Sequence, residues 1–178
     1  TCWRGVYRSN EDLTQLIRIE IASDSLKQVR GNYSIILHIH HDKNNVTWLA
    51  TANGGLIKLL EGNGFQNADK LISSPDISRS LNCTSFFQSD NNIYIGTFNG
   101  IYHGKDFSSL HGLNGVEKVK VNAFYEYEKK LFIGTASGFY ILDQETDKII
   151  FKSGPWNNKI NSIFISKRKL DMWNKLIV

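Results

Sequence analysis

Three histidines crowd one short stretch, His38, His40 and His41, and their type and spacing come nearest to chemistry in this chain. On a strand, His38 and His40 point to one face, the arrangement in which paired imidazoles hold a metal. The matching positions elsewhere are Phe86 to Ser89 and Tyr125 to Glu128, so the cluster does not recur. Packing at a strand end explains it better than a metal, and none is expected. Asp42, Asp90 and Glu128 resemble an acidic catalytic set, yet they fall at equivalent corners of separate segments. There an acidic or amide side chain caps its own turn. Lys167-Arg168-Lys169 takes the same corner near the end of the chain and reads as a solvated turn rather than a phosphate site. Cys2 and Cys83 show no CxxC or His-paired spacing, which removes the usual zinc and thiol-redox signatures and leaves two separate packed thiols. No nucleophile elbow, Walker-type loop, His-Glu-x-x-His or paired-carboxylate motif occurs. No catalytic residue and no cofactor is expected.

The elements that must carry these residues follow from composition and period. The 178 residues suit one domain, and 41% hydrophobic with 21% charged residues is ordinary for a globular chain. The aromatic share of 12% with only two prolines, Pro75 and Pro155, favours strands. The net charge of +4, from 21 basic and 17 acidic residues, is spread along the chain, so no basic face for nucleic acid is expected. No apolar run approaches the length of a membrane helix, and Thr1-Cys2-Trp3-Arg4 lacks the pattern of a signal peptide. Asn-x-Ser/Thr triplets stand at Asn32, Asn45 and Asn82 and matter only in a glycosylating secretory host.

The chain repeats itself. Trp48-Leu49-Ala50-Thr51 leads to Gly55-Leu56, Tyr94-Ile95-Gly96-Thr97 to Gly100-Ile101-Tyr102, and Phe132-Ile133-Gly134-Thr135 to Gly138-Phe139-Tyr140. Each copy is aromatic, aliphatic, small, Thr, a short turn, then Gly and an apolar pair. Thr1 before Gly5-Val6-Tyr7 matches the second half of this unit, and Ile163-Phe164-Ile165 followed by Met172-Trp173 matches the first, with Trp173 in the aromatic slot. The intervals are 50 from Thr1 to Thr51, 46 to Thr97, 38 to Thr135, and 41 from Phe132 to Trp173. Short strands at this period indicate the blades of a β-propeller. In the best-formed unit the expected strands are Val121 to Tyr127, Leu131 to Thr135, Gly138 to Leu142 and Lys148 to Lys152. A strand in the middle of a blade is buried on both sides and reads as an apolar run. The small slot, Ala50, Gly96 or Gly134, lets the next sheet approach while the aromatic residue two positions earlier fills the wider gap. Ile17, Ile19 and Ile21 alternate with polar residues, which favours an outer strand over a helix across Glu11 to Lys27. The long connections at 60–81 and 103–119 leave room for a helical turn.

The fold class expected is therefore all-β, a partial propeller of four-stranded antiparallel blades amounting to about four blade equivalents. The units are a half blade at 1–30, blades at about 31–80, 81–119 and 120–155, and a half blade at 156–178. If the halves do not join, the result is an open arc of low stability on its own.

The run Asp90-Asn91-Asn92-Ile93-Tyr94-Ile95-Gly96-Thr97-Phe98-Asn99-Gly100-Ile101-Tyr102 resembles the two-component regulator propeller repeat, and His41-Asp42-Lys43-Asn44-Asn45-Val46-Thr47-Trp48 looks like the same turn and strand. The likeness extends from Thr1 to Trp173. In that family such repeats build the periplasmic sensor region of hybrid two-component histidine kinases of Bacteroidetes. The resemblance implies extracytoplasmic sensing of glycan breakdown products, often as a dimer, with further blades and a downstream kinase as partners. No membrane contact by this segment is expected.

Propeller function usually resides on one face, formed by the loops between second and third strands and the linkers between blades. Here that face includes Asn53, Asn99, His111, Asn114, Trp156, Asn157 and Asn158. Trp156 beside Asn157 and Asn158 is the surface best suited to a sugar, because an aromatic ring stacks on a pyranose while amides bond its hydroxyls. A tryptophan covering the channel end of its own blade is the simpler account. The functions to separate are a non-catalytic ligand sensor, a protein-interaction scaffold, and a polysaccharide lyase or hydrolase.

Overall fold

The computed structural model describes residues 6–19, 35–52, 55–60, 65–72, 82–153, 159–165 and 176–177. Three four-stranded antiparallel sheets follow one another along the chain, each ordered as a simple meander. Sheet I holds β3 (Ile36–His41), β4 (Thr47–Thr51), β5 (Gly55–Leu59) and β6 (Phe65–Asn67). Sheet II holds β7 (Cys83–Gln88), β8 (Ile93–Thr97), β9 (Gly100–Gly104) and β10 (His111–Gly112). Sheet III holds β11 (Val121–Tyr127), β12 (Lys130–Thr135), β13 (Gly138–Asp143) and β14 (Lys148–Lys152). Two-stranded sheets lie before and after them, β1 (Val6–Ser9) with β2 (Leu16–Ile19), and β15 (Phe164–Ile165) with β16 (Leu176–Ile177). The chain is a β-propeller fragment.

The repeat unit occupies the same place in each sheet. Trp48, Tyr94 and Phe132 all lie on the second strand, opposite His40, Phe87 and Tyr125 of the first. Trp48 rests on Phe86 of the next sheet with ring centres 5.1 Å apart, and Tyr94 makes the equivalent contact with Phe124 at 6.3 Å. Such ring pairs add about 0.5–1.5 kcal/mol beyond the area they bury. The small slot does what its size suggests. A Cβ at Gly96 would lie 2.9 Å from Val121 Cγ1 of sheet III, and one at Gly134 would lie 2.6 Å from Ile160 Cγ2, beyond sheet III. The sheets touch there.

The threonine ending each second strand ties the following hairpin. Its hydroxyl donates to the carbonyl of Gly55, Gly100 or Gly138, at 3.0, 2.9 and 2.8 Å. All three glycines have positive φ (69°, 125° and 134°), a conformation L side chains rarely adopt.

Each first strand carries a β-bulge at one position, Leu37, Thr84 or Asn122. A bulge re-aims the extra side chain, and two of the three reach beyond their own sheet. Thr84 Oγ1 donates to the Val121 carbonyl (2.5 Å), and Asn122 Nδ2 donates to the Ile160 carbonyl (2.8 Å). Leu37 has no donor to give. In sheet I the bond runs the other way, from the Phe86 amide to His38 Nδ1 at 3.4 Å.

Several expectations change. The outermost strands of sheets I and II are only three and two residues long, and they fall inside segments read as connections. The first of those segments also holds a 3-10 turn at Ala68–Leu71. In the last sheet Phe164 pairs with Ile177, which places Leu176–Ile177 on the strand that follows β15. Met172 and Trp173, read as part of that strand, lie outside the described residues. The proposed strand at Ile17, Ile19 and Ile21 is present as Leu16–Ile19 against β1, with Ile21 outside the described residues. Cys83 is buried and its thiol donates to the Ser85 carbonyl; Cys2 lies outside the described residues.

Candidate functional site

Of the residues singled out as a ligand face, Asn53, Trp156, Asn157 and Asn158 lie outside the described residues. Asn99 is exposed at the β8–β9 turn, its amide held by Thr97 Oγ1 (3.0 Å) and its carbonyl accepting from the Lys118 amide (3.0 Å). With Asn114 and Glu117 it borders a cleft of about 170 Å³ over Ile101, Leu113 and Val116.

The histidine stretch serves packing between sheets. His38 and His40 stack with centres 6.4 Å apart, and His40 meets the edges of Phe86 and Phe87 at 5.5 and 5.6 Å. Burial lowers the pKa of both rings, with the His40 charge adding to the effect on His38. His38 accepts the Phe86 amide only as the neutral ring.

The corner carboxylates do not play one common role. Asp42 caps its turn, accepting from the amides of Asn44 (2.8 Å) and Val46 (2.9 Å) and from Trp48 Nε1 (2.9 Å). Burial pushes its pKa up, but those three hydrogen bonds outweigh burial and hold the carboxyl below its ordinary value. At the next corner Ser89 is the capping residue, accepting from the Asn92 amide at 3.0 Å. Asp90 instead reaches Lys43 of sheet I at 2.8 Å. At the third corner Glu128 and Lys129 both have positive φ, 48° and 58°, so the backbone makes a two-residue hairpin turn without a side-chain cap. Corner length decides the device: Asp42 heads a longer turn than the other two.

A second, larger cleft of about 270 Å³ opens on the side of these corners, between sheets II and III. Its walls come from the β7–β8 turn (Ser89 to Asn92), the end of β11 (Glu126), and the β11–β12 and β13–β14 turns (Lys129, Gln144, Glu145). Tyr94 lies beneath it, its hydroxyl taking Asn92 Nδ2 and Gln144 Nε2, each at 3.4 Å. Gln144 also bonds Glu126, and its Oε1 is buried with no partner among the described residues. A buried acceptor left without a donor is costly. Burial raises the Glu126 pKa, and the nearby Asp90 charge raises it further against the opposing pull of Gln144 and Lys43. Asp90, fully exposed, is held low by its hydrogen bond and charge contact with Lys43. The cleft thus presents carboxylates and amides to any group rich in hydroxyls. Sequence reading missed it because its residues come from three turns and a strand end of two blades.

No family model and no curated protein matches the sequence. Solved structures do match the fold. Two crystal structures of one extracellular domain from B. thetaiotaomicron, described once as part of a one-component and once of a hybrid two-component system, superimpose with TM-score 0.68 at 19% and 14% identity. They cover 93% of this chain, which spans 23% of theirs. A computationally designed protein, Ika4, matches at TM-score 0.57 and 13% identity over 78% of this chain and 84% of its own. An ancestral GH74 enzyme matches at TM-score 0.58 and 13% identity over 74% of this chain and 20% of its own. At these identities the likeness establishes the propeller fold.

Proposed function

We propose that this chain is a non-catalytic, ligand-sensing segment of an extracytoplasmic β-propeller of the hybrid two-component type, and that its ligand is glycan-derived. The observation that carries the reading is the cleft between sheets II and III, which Glu126, Asn92 and Gln144 line together. Sugar hydroxyls donate to a carboxylate and to a free amide oxygen while accepting from amide N–H groups. At about 270 Å³ the cleft lies below the roughly 300–1,000 Å³ of sites for drug-sized ligands. It suits a single sugar unit at the end of an oligosaccharide. The likeness to an extracellular two-component domain supports the sensing role and the extracytoplasmic location, with the kinase and further blades elsewhere in the parent protein.

A second reading, polysaccharide hydrolysis, draws on the same cleft. Glu126 is pushed towards the neutral acid while Asp90 is held ionised, the division of roles that glycosidases use. The binding reading is preferred because Asp90 is exposed and clamped by Lys43, whereas catalytic electrostatics needs a site shielded from water.

Calorimetric titration with oligosaccharide pools from hydrolysed polysaccharides separates the two. Binding predicts saturable heat without new reducing ends, and an affinity loss of about 10–100-fold in Glu126→Gln, the loss of one hydrogen bond to a charged group. Release of reducing ends would favour hydrolysis. Silence with every pool, or unchanged affinity in Glu126→Gln, would remove the cleft as the site.

A further inference from the structure

We propose that His103, His111 and Asp147 form a binding site for a divalent transition metal that ties the outer strand of sheet II to the β13–β14 turn of sheet III. One potential ligand atom from each residue lies within 4.8 Å of the others. Two of the three are set by strand register: His111 on β10 stands directly opposite His103 on β9, and the rings sit 4.2 Å apart. The third arrives from the neighbouring blade, Asp147 at a backbone position of positive φ (55°).

The second layer favours metal binding over a simple ion pair. His103 is buried and stacked on Tyr94, centres 5.9 Å apart and planes within 7°, so its ring direction is held. His111 Nδ1 lies 3.1 Å from the Ser109 carbonyl. A proton on that nitrogen bonds the carbonyl and leaves Nε2 as a lone pair, the way backbone carbonyls orient metal-ligating histidines. His103 Nδ1 stands 3.5 Å from Asp147 Oδ1, too far for a good hydrogen bond.

Two imidazoles and one carboxylate form a borderline donor set suited to Zn²⁺, Co²⁺, Ni²⁺ or Cu²⁺, and unlike the all-oxygen shells of Ca²⁺ or Mg²⁺. Tetrahedral ligands 2.0–2.2 Å from a Zn²⁺ stand roughly 3.3 Å from one another. Rotation of the exposed Asp147 side chain, with a small shift of the His111 ring about its bond to Ser109, closes that gap, and water completes the shell. The consequence is mechanical: β10, only two residues long, gains an anchor on the next blade.

The test uses the full 178-residue chain, stripped with a chelator and titrated with Co²⁺ and Zn²⁺. One equivalent of Co²⁺ should give the intense visible bands of a tetrahedral site, displaced by Zn²⁺, and Zn²⁺ should raise the melting temperature. His103→Ala risks unfolding the blade, so the variants are His111→Ala and Asp147→Asn, both at exposed positions. Each should melt like the stripped parent and bind Co²⁺ at least about tenfold more weakly, while His41→Ala, a histidine outside the site, should leave the affinity unchanged. Absence of Co²⁺ bands in the parent, or binding equally strong in His111→Ala and Asp147→Asn, would overturn the proposal.

Discussion

Replacing Gly96 with alanine tests the contact on which the stacking of sheets depends. A Cβ built there falls 2.2 Å from Ser85 Oγ, 2.9 Å from Val121 Cγ1 and 3.0 Å from Val121 Cβ. Ser85 belongs to the same sheet and its hydroxyl is buried without a partner among the described residues. Val121 begins the first strand of the next sheet, so its two atoms yield only if sheets II and III move apart. Overpacking by a methyl group in a filled core costs about 1–3 kcal/mol, and contact with a bonded strand places Gly96→Ala near the upper half of that range. For a chain of this size each 1 kcal/mol moves the melting temperature by about 2–4 °C, so a drop of about 4–12 °C is expected by calorimetry or circular dichroism. Ser85→Ala removes the shortest contact and sacrifices no observed hydrogen bond. In the Gly96→Ala background it should restore part of the loss, leaving the share owed to Val121, and the coupling appears in a double-mutant cycle. If Gly96→Ala melts within about 1 °C of the parent, the sheets do not approach through the small slot, and the packing argument fails.

Two further outcomes follow from the corners and the histidines. Asp42→Ala strips one acceptor from two backbone amides and from the buried Trp48 indole, and should destabilise by about 2–4 kcal/mol in urea unfolding, since each unpaired buried donor costs about 1–3 kcal/mol. Asp42 has a folded pKa below its unfolded value of 3.8, so its contribution is present above that value and fades as pH falls through the lower folded one; Asp42→Asn should flatten the acid limb of a pH–stability curve. His38, His40 and His103 are all lowered from 6.5, so the unfolded chain binds protons first and stability should fall as pH drops below about 6.5. His38→Asn should reduce that slope between pH 6.5 and 5; an unaltered slope would show that His38 titrates as it does when unfolded.

The repeat was legible because its signals are local. Threonine and glycine must sit three or four residues apart to close a hairpin, and a strand covered on both sides must read as an apolar run, so every copy spells the same letters. The strands of sheet III show this most clearly, since β11 and β14 match the expected Val121 to Tyr127 and Lys148 to Lys152. Where the signal weakens the sequence says less: β6 and β10 are too short to impose a period.

From sequence alone came the blade, its period, the aromatic and small slots, and the expectation that chemistry would be sparse. The tertiary structure decided which side chains meet across the seam between blades: the bulge donors Thr84 and Asn122 on the Val121 and Ile160 carbonyls, Lys43 on Asp90, Gln144 on Tyr94, and Asp147 beside His103. Those partners stand tens of residues apart, and the twist and separation of neighbouring sheets set their meeting. A periodicity of two residues within a strand carries no record of that geometry.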